Sequence, residues 1–276
     1  MTVTIDDAER RRRLGVRHAL ATPVDSTEEV AQRVVALHST DPASMAIGVC
    51  ARLIEPSIAD LERALYSDRT LVRVLAMRRT VFAVPADLAG SCLAATSRSV
   101  AAPERRKLLT MLRDSGIQDP ERFLDQAHAA ARAALPALGV FRSADLAAAD
   151  PILTTRVEIG AGTRYATTQS MASRLLTLMS AEGHGVRAQP AGTWASTQFT
   201  WCAAETWTPA LTERPTPEDA ARAIAGRWLA AYGPAPLEDL CWWTGWTKTT
   251  ARAALTAIDT TEVRTESGTA IALSDD

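Results

Sequence analysis

The chain has 276 residues, 47% hydrophobic and 22% charged, the balance of a folded protein with one large or two to three small domains. A net charge of −2 excludes a uniformly basic nucleic-acid-binding chain, but the charge is unevenly placed. Residues 1–113 hold 17 Lys and Arg against 13 Asp and Glu, a balance of +4 that leaves −6 for the remainder.

In chain order, residues 6–20 read as a helix with Asp6 or Asp7 at its N-cap. Arg10 to Arg13 form either a solvated face or a phosphate contact. Ser26-Thr-Glu-Glu29 is a capping box that opens a helix with Val30, Val34, Val35 and Leu37 on one face. That helix is expected to end near Thr40, because Pro42 disfavours helical backbone at Asp41. Asp41 and Pro42 then start a new helix through Arg52, and Asp60 caps a short one through Tyr66. Residues 71–84 alternate and are rich in Val, Leu and Phe, as strands are. Residues 86–115 read as a helix, and Asp119-Pro120-Glu121 starts another through Leu135.

An internal repeat follows. Gly139-Val-Phe-Arg-Ser-Ala-Asp-Leu146 aligns with Gly233-Pro-Ala-Pro-Leu-Glu-Asp-Leu240, each behind an Ala-rich helix. Helix 167–182 is expected after the first copy, then a hairpin from Gly185 to Trp201 with Gly192 near its tip. Helix 247–258 and a wing at 262–272 follow the second. The expected fold is mainly α with small β-wings (α+β): tandem winged-helix units at 1–114, 115–210 and 211–276.

The cysteines, Cys50, Cys92, Cys202 and Cys241, lack metal-type spacing and read as thiols of a reducing compartment. No signal peptide, apolar span, dinucleotide fingerprint, P-loop or HExxH is present, so the expected setting is cytoplasmic, with no membrane partner. Lys107 and Lys248 are the two lysines, which limits any Schiff-base chemistry.

Four stretches then carry a resemblance: Leu37-His-Ser-Thr-Asp-Pro42; Thr70-Leu-Val-Arg with Met77-Arg-Arg-Thr80; Gly192-Thr-Trp194 leading to Trp201; and Tyr232-Gly-Pro with Leu240-Cys-Trp-Trp-Thr-Gly245. In this order the chain resembles the AlkZ/YcaQ family of bacterial winged-helix DNA glycosylases. The resemblance implies tandem winged helices around a concave DNA-binding channel, and excision of alkylated bases, N7-alkylguanine and some crosslinks included. It implies no cofactor and no metal, a monomer, and damaged double-stranded DNA as partner. Members usually continue into a further segment beyond the third wing.

The family's catalytic motif is Gln, an apolar residue, then Gln or Asp. Its polar positions fall on His38 and Thr40 here, with Ser39 in the apolar place. Cleaving an N-glycosidic bond builds positive charge on the sugar, which a placed acceptor stabilises while water attacks. Neutral His38 can take a proton from water, Thr40 can hold that water, and Asp41 can share the electrostatic work. With no lysine in the motif, no lyase step is expected. Arg73, Arg78, Arg79 and Thr80 are the expected phosphate contacts, the adjacent arginines pointing to opposite faces of a strand. Trp194 is a candidate wedge into a groove.

Plain structural readings stand beside these. His38 in the last turn of a helix gains from the helix dipole, Asp41 is an N-cap, and Trp194 and Trp201 cover a hairpin core. Trp242, Trp243 and Trp246 read as packing, and His128 and His184 show no partner spacing. The function is either glycosylase, non-catalytic DNA binding, or a protein-interaction role for the winged helices. The helix at 247–258 has few basic residues for sequence reading.

Overall fold

In the computed structural model, which describes residues 4–160, 162–164 and 166–276, the chain is mainly helical with small sheets. It opens with β1 (Thr4–Ile5) and α1 (Asp7–Arg17), whose N-cap Asp6 accepts from the Glu9 amide. Ser26 caps α2 (Thr27–Val34), followed by β2 (Leu37–His38). Asp41 caps α3 (Pro42–Cys50), with Pro42 in the first turn where its missing N–H costs nothing. α4 (Ile58–Glu62) runs into a π-helical turn at Arg63–Ser67. β3 (Leu71–Leu75) and β4 (Val81–Pro85) form an antiparallel pair, and α5 (Ala86–Asp114) leaves it.

Next come α6 (Pro120–Leu138), β5 (Val140–Phe141), α7 (Ser143–Ala148) and α8 (Pro151–Thr154). A hairpin of β6 (Arg156–Ile159) and β7 (Thr167–Ser170) precedes α9 (Met171–Ala181). β8 (Gly185–Pro190) and β9 (Phe199–Ala203) make a second wing. After α10 (Ala204–Trp207) come α11 (Pro217–Tyr232), α12 (Leu237–Thr244) and α13 (Lys248–Thr256). β10 (Thr260–Thr265) and β11 (Gly268–Leu273) end the chain's regular structure.

One connectivity recurs three times. Helix, short strand and helical segments lead to a hairpin whose second strand pairs back with the short strand. The orders are β2-β4-β3 and β5-β9-β8, and Ala235 bridges Ile271 of β11 in the third copy. The repeated Asp-Leu falls in α7 and α12, and both leucines, Leu146 and Leu240, are buried.

The chain divides into two compact bodies, residues 1–95 with 213–276, and residues 96–212. In the first body, Val30, Val34, Leu37, Met45, Leu61 and Leu71 meet in one core. There β1 pairs in parallel with β10, and Arg13 and Arg17 of α1 both reach Asp276. The arginine run is largely engaged within the protein: Arg10 donates to the Pro234 carbonyl, Arg12 and Arg13 to Glu9, while Arg11 keeps 78% of its side chain exposed. Those contacts hold Glu9 down to about pKa 2 through its hydrogen bonds with Arg12 and Arg13. The second body has its own core around Leu112, Leu124, Leu146, Leu175 and Met179.

Several expected boundaries move. The helix from Ser26 stops at Val34, because Val35 takes φ 66°, and its tail becomes β2. Ser57, not Asp60, caps α4. Residues 167–170 are a strand, since Thr167, Thr168 and Gln169 pair with β6 and Ser170 is the N-cap of α9. The run 71–84 is broken by a 3₁₀ turn at Met77–Arg79, so Arg78 and Arg79 do not lie on opposite strand faces. Among the described residues no helix is long and apolar enough to cross a membrane, and no disulfide joins the four cysteines.

Candidate functional site

The early stop at Val35 creates the site. Once the chain leaves the helix it extends along the edge of β4, with Leu37 opposite Ala83 and His38 opposite Phe82. The Ser39 amide continues the ladder by donating to the Val81 carbonyl at 2.8 Å. Extended backbone alternates its side chains, so Leu37 and Ser39 go inward while His38 and Thr40 stand exposed on the same side. The helix-end reading of His38 is thereby corrected: it sits in a strand, and no helix C-terminus acts on it.

His38 meets Phe82 edge-on, with ring centroids 5.6 Å apart at 85°. Behind Phe82 the rings of Trp243, Tyr232 and Trp228 follow at 6.3, 6.2 and 5.6 Å. The imidazole thus stands against Phe82 of the first repeat, which is backed by aromatic rings of the third. The Thr40 Oγ1 accepts the Val81 amide at 3.4 Å, which leaves its own hydroxyl hydrogen free for another partner.

Asp41 is committed locally. Its carboxylate accepts the Ser44 hydroxyl at 2.6 Å and the Ser44 and Ala43 amides at 3.1 and 3.2 Å. The Ser44 hydroxyl, then the Ser44 and Ala43 amides, hold its pKa below the ordinary value. It stays ionised beside His38 while capping α3.

Arg73 is not at the surface. It lies on β3 opposite Ala83, 2% exposed, and its Nη2 donates to the Ser39 carbonyl at 2.6 Å. Burial pulls its pKa down, and the neighbouring Tyr66 hydroxyl opposes that. Burying an unmatched guanidinium costs several kcal/mol, on the order of a domain's whole margin, so the contact has to be well made. The expected phosphate contact becomes a clamp on the backbone between His38 and Thr40. The signal was available in the sequence: β3 and β4 read Leu-Val-Arg-Val-Leu and Val-Phe-Ala-Val-Pro, without the polar alternation of a half-exposed pair, and all ten residues are buried.

Arg78 and Arg79 are exposed in the turn joining β3 to β4, with φ 53° and 58°. The Arg78 guanidinium lies 4.2 Å from the ring centroid of Trp242. Thr80 donates its hydroxyl to the Met77 carbonyl at 2.9 Å and closes the turn. Gly245, at φ 79°, passes so close to this turn that a Cβ there would stand 3.4 Å from the Arg78 nitrogen. Trp243 and Trp246 are packed inside, whereas Trp242 is 68% exposed and belongs to this surface, which the sequence reading missed.

Trp194 lies in the other body, 39% exposed, between β8 and β9. In that body Arg187 stacks over Phe199 and Trp201 at 5.1 and 5.7 Å beside a cleft of ≈ 380 Å³ that Arg142 also lines. A cavity of ≈ 480 Å³ in the first body is walled by Arg17, Arg33 and Arg227, each already paired with a carboxylate, and His38 and Thr40 are not among its walls.

Against known proteins, the model of the family described as DNA glycosylase AlkZ-like matches residues 31–276. Among solved structures, the Streptomyces sahachiroi DNA glycosylase AlkZ is similar in fold, with a TM-score of 0.71 at 20% sequence identity, covering 96% of this chain and 70% of that one. No curated protein gives a significant match.

Proposed function

The chain belongs to the AlkZ-like DNA glycosylase family, and we propose that it is a monofunctional glycosylase hydrolysing the N-glycosidic bond of alkylated purines in duplex DNA, with His38 and Thr40 at the reacting sugar. The observation that carries this reading is the pair itself: two polar side chains, exposed on one side of β2, at the two polar positions of the family's motif. The inward Ser39 fits the motif's apolar middle position, since it is fully buried.

In this reading neutral His38 accepts a proton from the attacking water, and the Thr40 hydroxyl orients that water. The ionised Asp41 nearby favours the positive charge that builds on the sugar and on the imidazole. An N7-alkylated purine already carries a positive charge, so its departure needs little acid catalysis. General-base help worth roughly 10²–10⁴-fold is then enough for such a lesion and too little for a normal base. Neither lysine is in the motif, and Lys248 is paired with Glu238, so the reading includes no lyase step.

The three repeats are read as winged-helix units, and damaged double-stranded DNA as the partner of a monomeric, cytoplasmic protein. Arg78, Arg79 and Trp242 form one exposed cationic and aromatic edge in the first body, suited to phosphate and sugar contacts. On the second body the Arg187 stack over Phe199 and Trp201 offers a similar cationic and aromatic surface, and exposed Trp194 is kept as the candidate wedge.

The test is release of N7-methylguanine from alkylated duplex DNA by wild type and by His38→Ala. Release by wild type, with a loss of about 10²-fold or more in the variant at unchanged DNA affinity, is expected. No release, with salt-dependent DNA binding intact, would assign the chain a binding role instead.

A further inference from the structure

His128, Glu182 and His184 stand together in the second body, apart from the glycosylase motif and unused by it. His128 is on α6, and Glu182 and His184 follow α9 directly. The separation of 54 residues between His128 and Glu182 hides the group from any reading by local spacing. His128 Nε2 is 2.6 Å from Glu182 Oε2, His184 Nε2 is 4.0 Å from the same oxygen, and one donor atom from each residue lies within 4.8 Å of the other two.

The backbone that presents these atoms is fixed. Glu182 donates its amide to Leu178 at 2.9 Å, Gly183 takes φ 73° and donates to Ser180 at 3.1 Å, and His184 donates to Met179 at 2.7 Å. The His184 carbonyl in turn accepts the Ala204 amide at 3.0 Å, which ties the turn to the end of the wing. The side chains are 24%, 26% and 30% exposed, so the group is half-buried with one side open to solvent.

We propose that His128, Glu182 and His184 form a binding site for a divalent late transition-metal ion, with zinc, cobalt and nickel as the matching chemistry. Two imidazoles and one carboxylate are the donor set of such ions, whereas magnesium and calcium require oxygen ligands. In a tetrahedral site with metal–ligand bonds of about 2.0–2.1 Å, donor atoms stand about 3.3 Å apart. The observed 2.6 and 4.0 Å bracket that spacing, so small side-chain rotations suffice. The ion takes the place of the hydrogen between His128 and Glu182; each imidazole then binds through Nε2 and keeps its one ring hydrogen on Nδ1, any second imidazole proton leaves to solvent, and water fills the open fourth position. Bound there, it staples α6 to the turn between α9 and β8.

Arg132 is the built-in opponent. It lies one helical turn beyond His128 on α6, is exposed, and its Nη1 contacts His184 Nδ1. A guanidinium at that place repels a cation and occupies the imidazole nitrogen whose proton would orient the ring for metal binding. Arg132 has to swing outward when the ion enters, and removing its charge strengthens the site.

Titration of the full metal-stripped chain with Zn²⁺ in a calorimeter, and with Co²⁺ followed by its visible absorption, tests this independently of any glycosylase assay. The expected result is one equivalent bound, at least about 10-fold weaker in His128→Ala and in His184→Ala, weaker in Glu182→Gln, tighter in Arg132→Gln and unchanged in His38→Ala. Glu182→Gln keeps a hydrogen-bonding partner for His128 and guards against a variant that fails to fold. Absence of stoichiometric binding in wild type, or equal binding by wild type and the His128→Ala/His184→Ala double variant, overturns the proposal.

Discussion

The junction between β2 and α3 and its counterpart between β5 and α7 occupy the same place in the repeated connectivity, and they are built to different ends. In the first repeat three residues, Ser39 to Asp41, separate strand from helix, and the alternation puts His38 and Thr40 on one exposed side. In the second, the strand ends at Phe141 and α7 begins at Ser143, so one residue, Arg142, fills the junction as an N-cap. The third copy offers only Ala235 and Pro236 before α12. The wings differ in parallel. β3 and β4 are buried along their whole length, whereas β8 and β9 keep Arg187, Phe199 and Trp201 partly exposed. One scaffold thus makes a junction with two exposed polar side chains next to a fully packed wing and a cationic junction next to a partly exposed one. In the proposed reading the chemistry follows from two inserted residues and a buried arginine, not from the connectivity.

The largest expected effect separates the two junctions. Thr40→Val keeps the shape of the side chain and deletes the oxygen, and should lower turnover on N7-methylguanine by about 10²-fold with little change in affinity. Arg142→Ala should do the reverse, leaving single-turnover rate in saturating enzyme intact while weakening DNA binding and lowering the salt slope by about 1. Equal effects on rate at both junctions would erase the distinction.

Arg73→Met comes next. It removes the donor to the Ser39 carbonyl and leaves that buried oxygen without its charged partner, at a cost of about 1–3 kcal/mol in chemical denaturation. Because Arg73 acts through the backbone between His38 and Thr40, single-turnover rate should fall further than the lost stability explains at temperatures where the variant is fully folded. An unchanged rate would reduce Arg73 to a core residue.

The parts that sequence foretold are those fixed by local chemistry. Ser26, Asp41-Pro42 and Asp119-Pro120 cap helices because their side chains reach the next free amides within the same few residues. The repeat with Leu146 and Leu240 shows as a buried position in the corresponding helices α7 and α12. The parts that were hidden depend on distant partners. Val35 adopts φ 66° without any glycine or asparagine to announce it, because pairing with β4 captures the chain that follows. Arg73 reads as a surface cation until Ser39 and Tyr66 are seen beside it. Trp242 and Trp243 are neighbours in sequence, and only the Arg78 turn separates the exposed ring from the packed one.

Gly245→Ala tests that turn. The left-handed backbone at φ 79° costs a non-glycine residue about 1–2 kcal/mol, and the added carbon presses on Arg78. Loss of stability on that scale should come with a change in Trp242 fluorescence as the guanidinium leaves its ring, and with weaker DNA binding. A spectral change without weaker binding would detach this edge from the DNA surface.

The smallest effect has the opposite sign. Ser39 is fully buried between His38 and Thr40, and among the described residues its hydroxyl has no hydrogen-bond partner, although its backbone is held at both the amide and the carbonyl. A buried hydroxyl that makes no bond loses the water it had in the unfolded chain and gains nothing in return. Ser39→Ala should therefore stabilise the protein by about 1 kcal/mol, read as a higher denaturant midpoint at constant slope. Activity should be unchanged, because the contacts that place His38 and Thr40 are made by the Ser39 main chain. A drop in activity would mean that the hydroxyl takes part once DNA is bound, and Ser39 would then join His38, Thr40 and Asp41 in the reading of this junction.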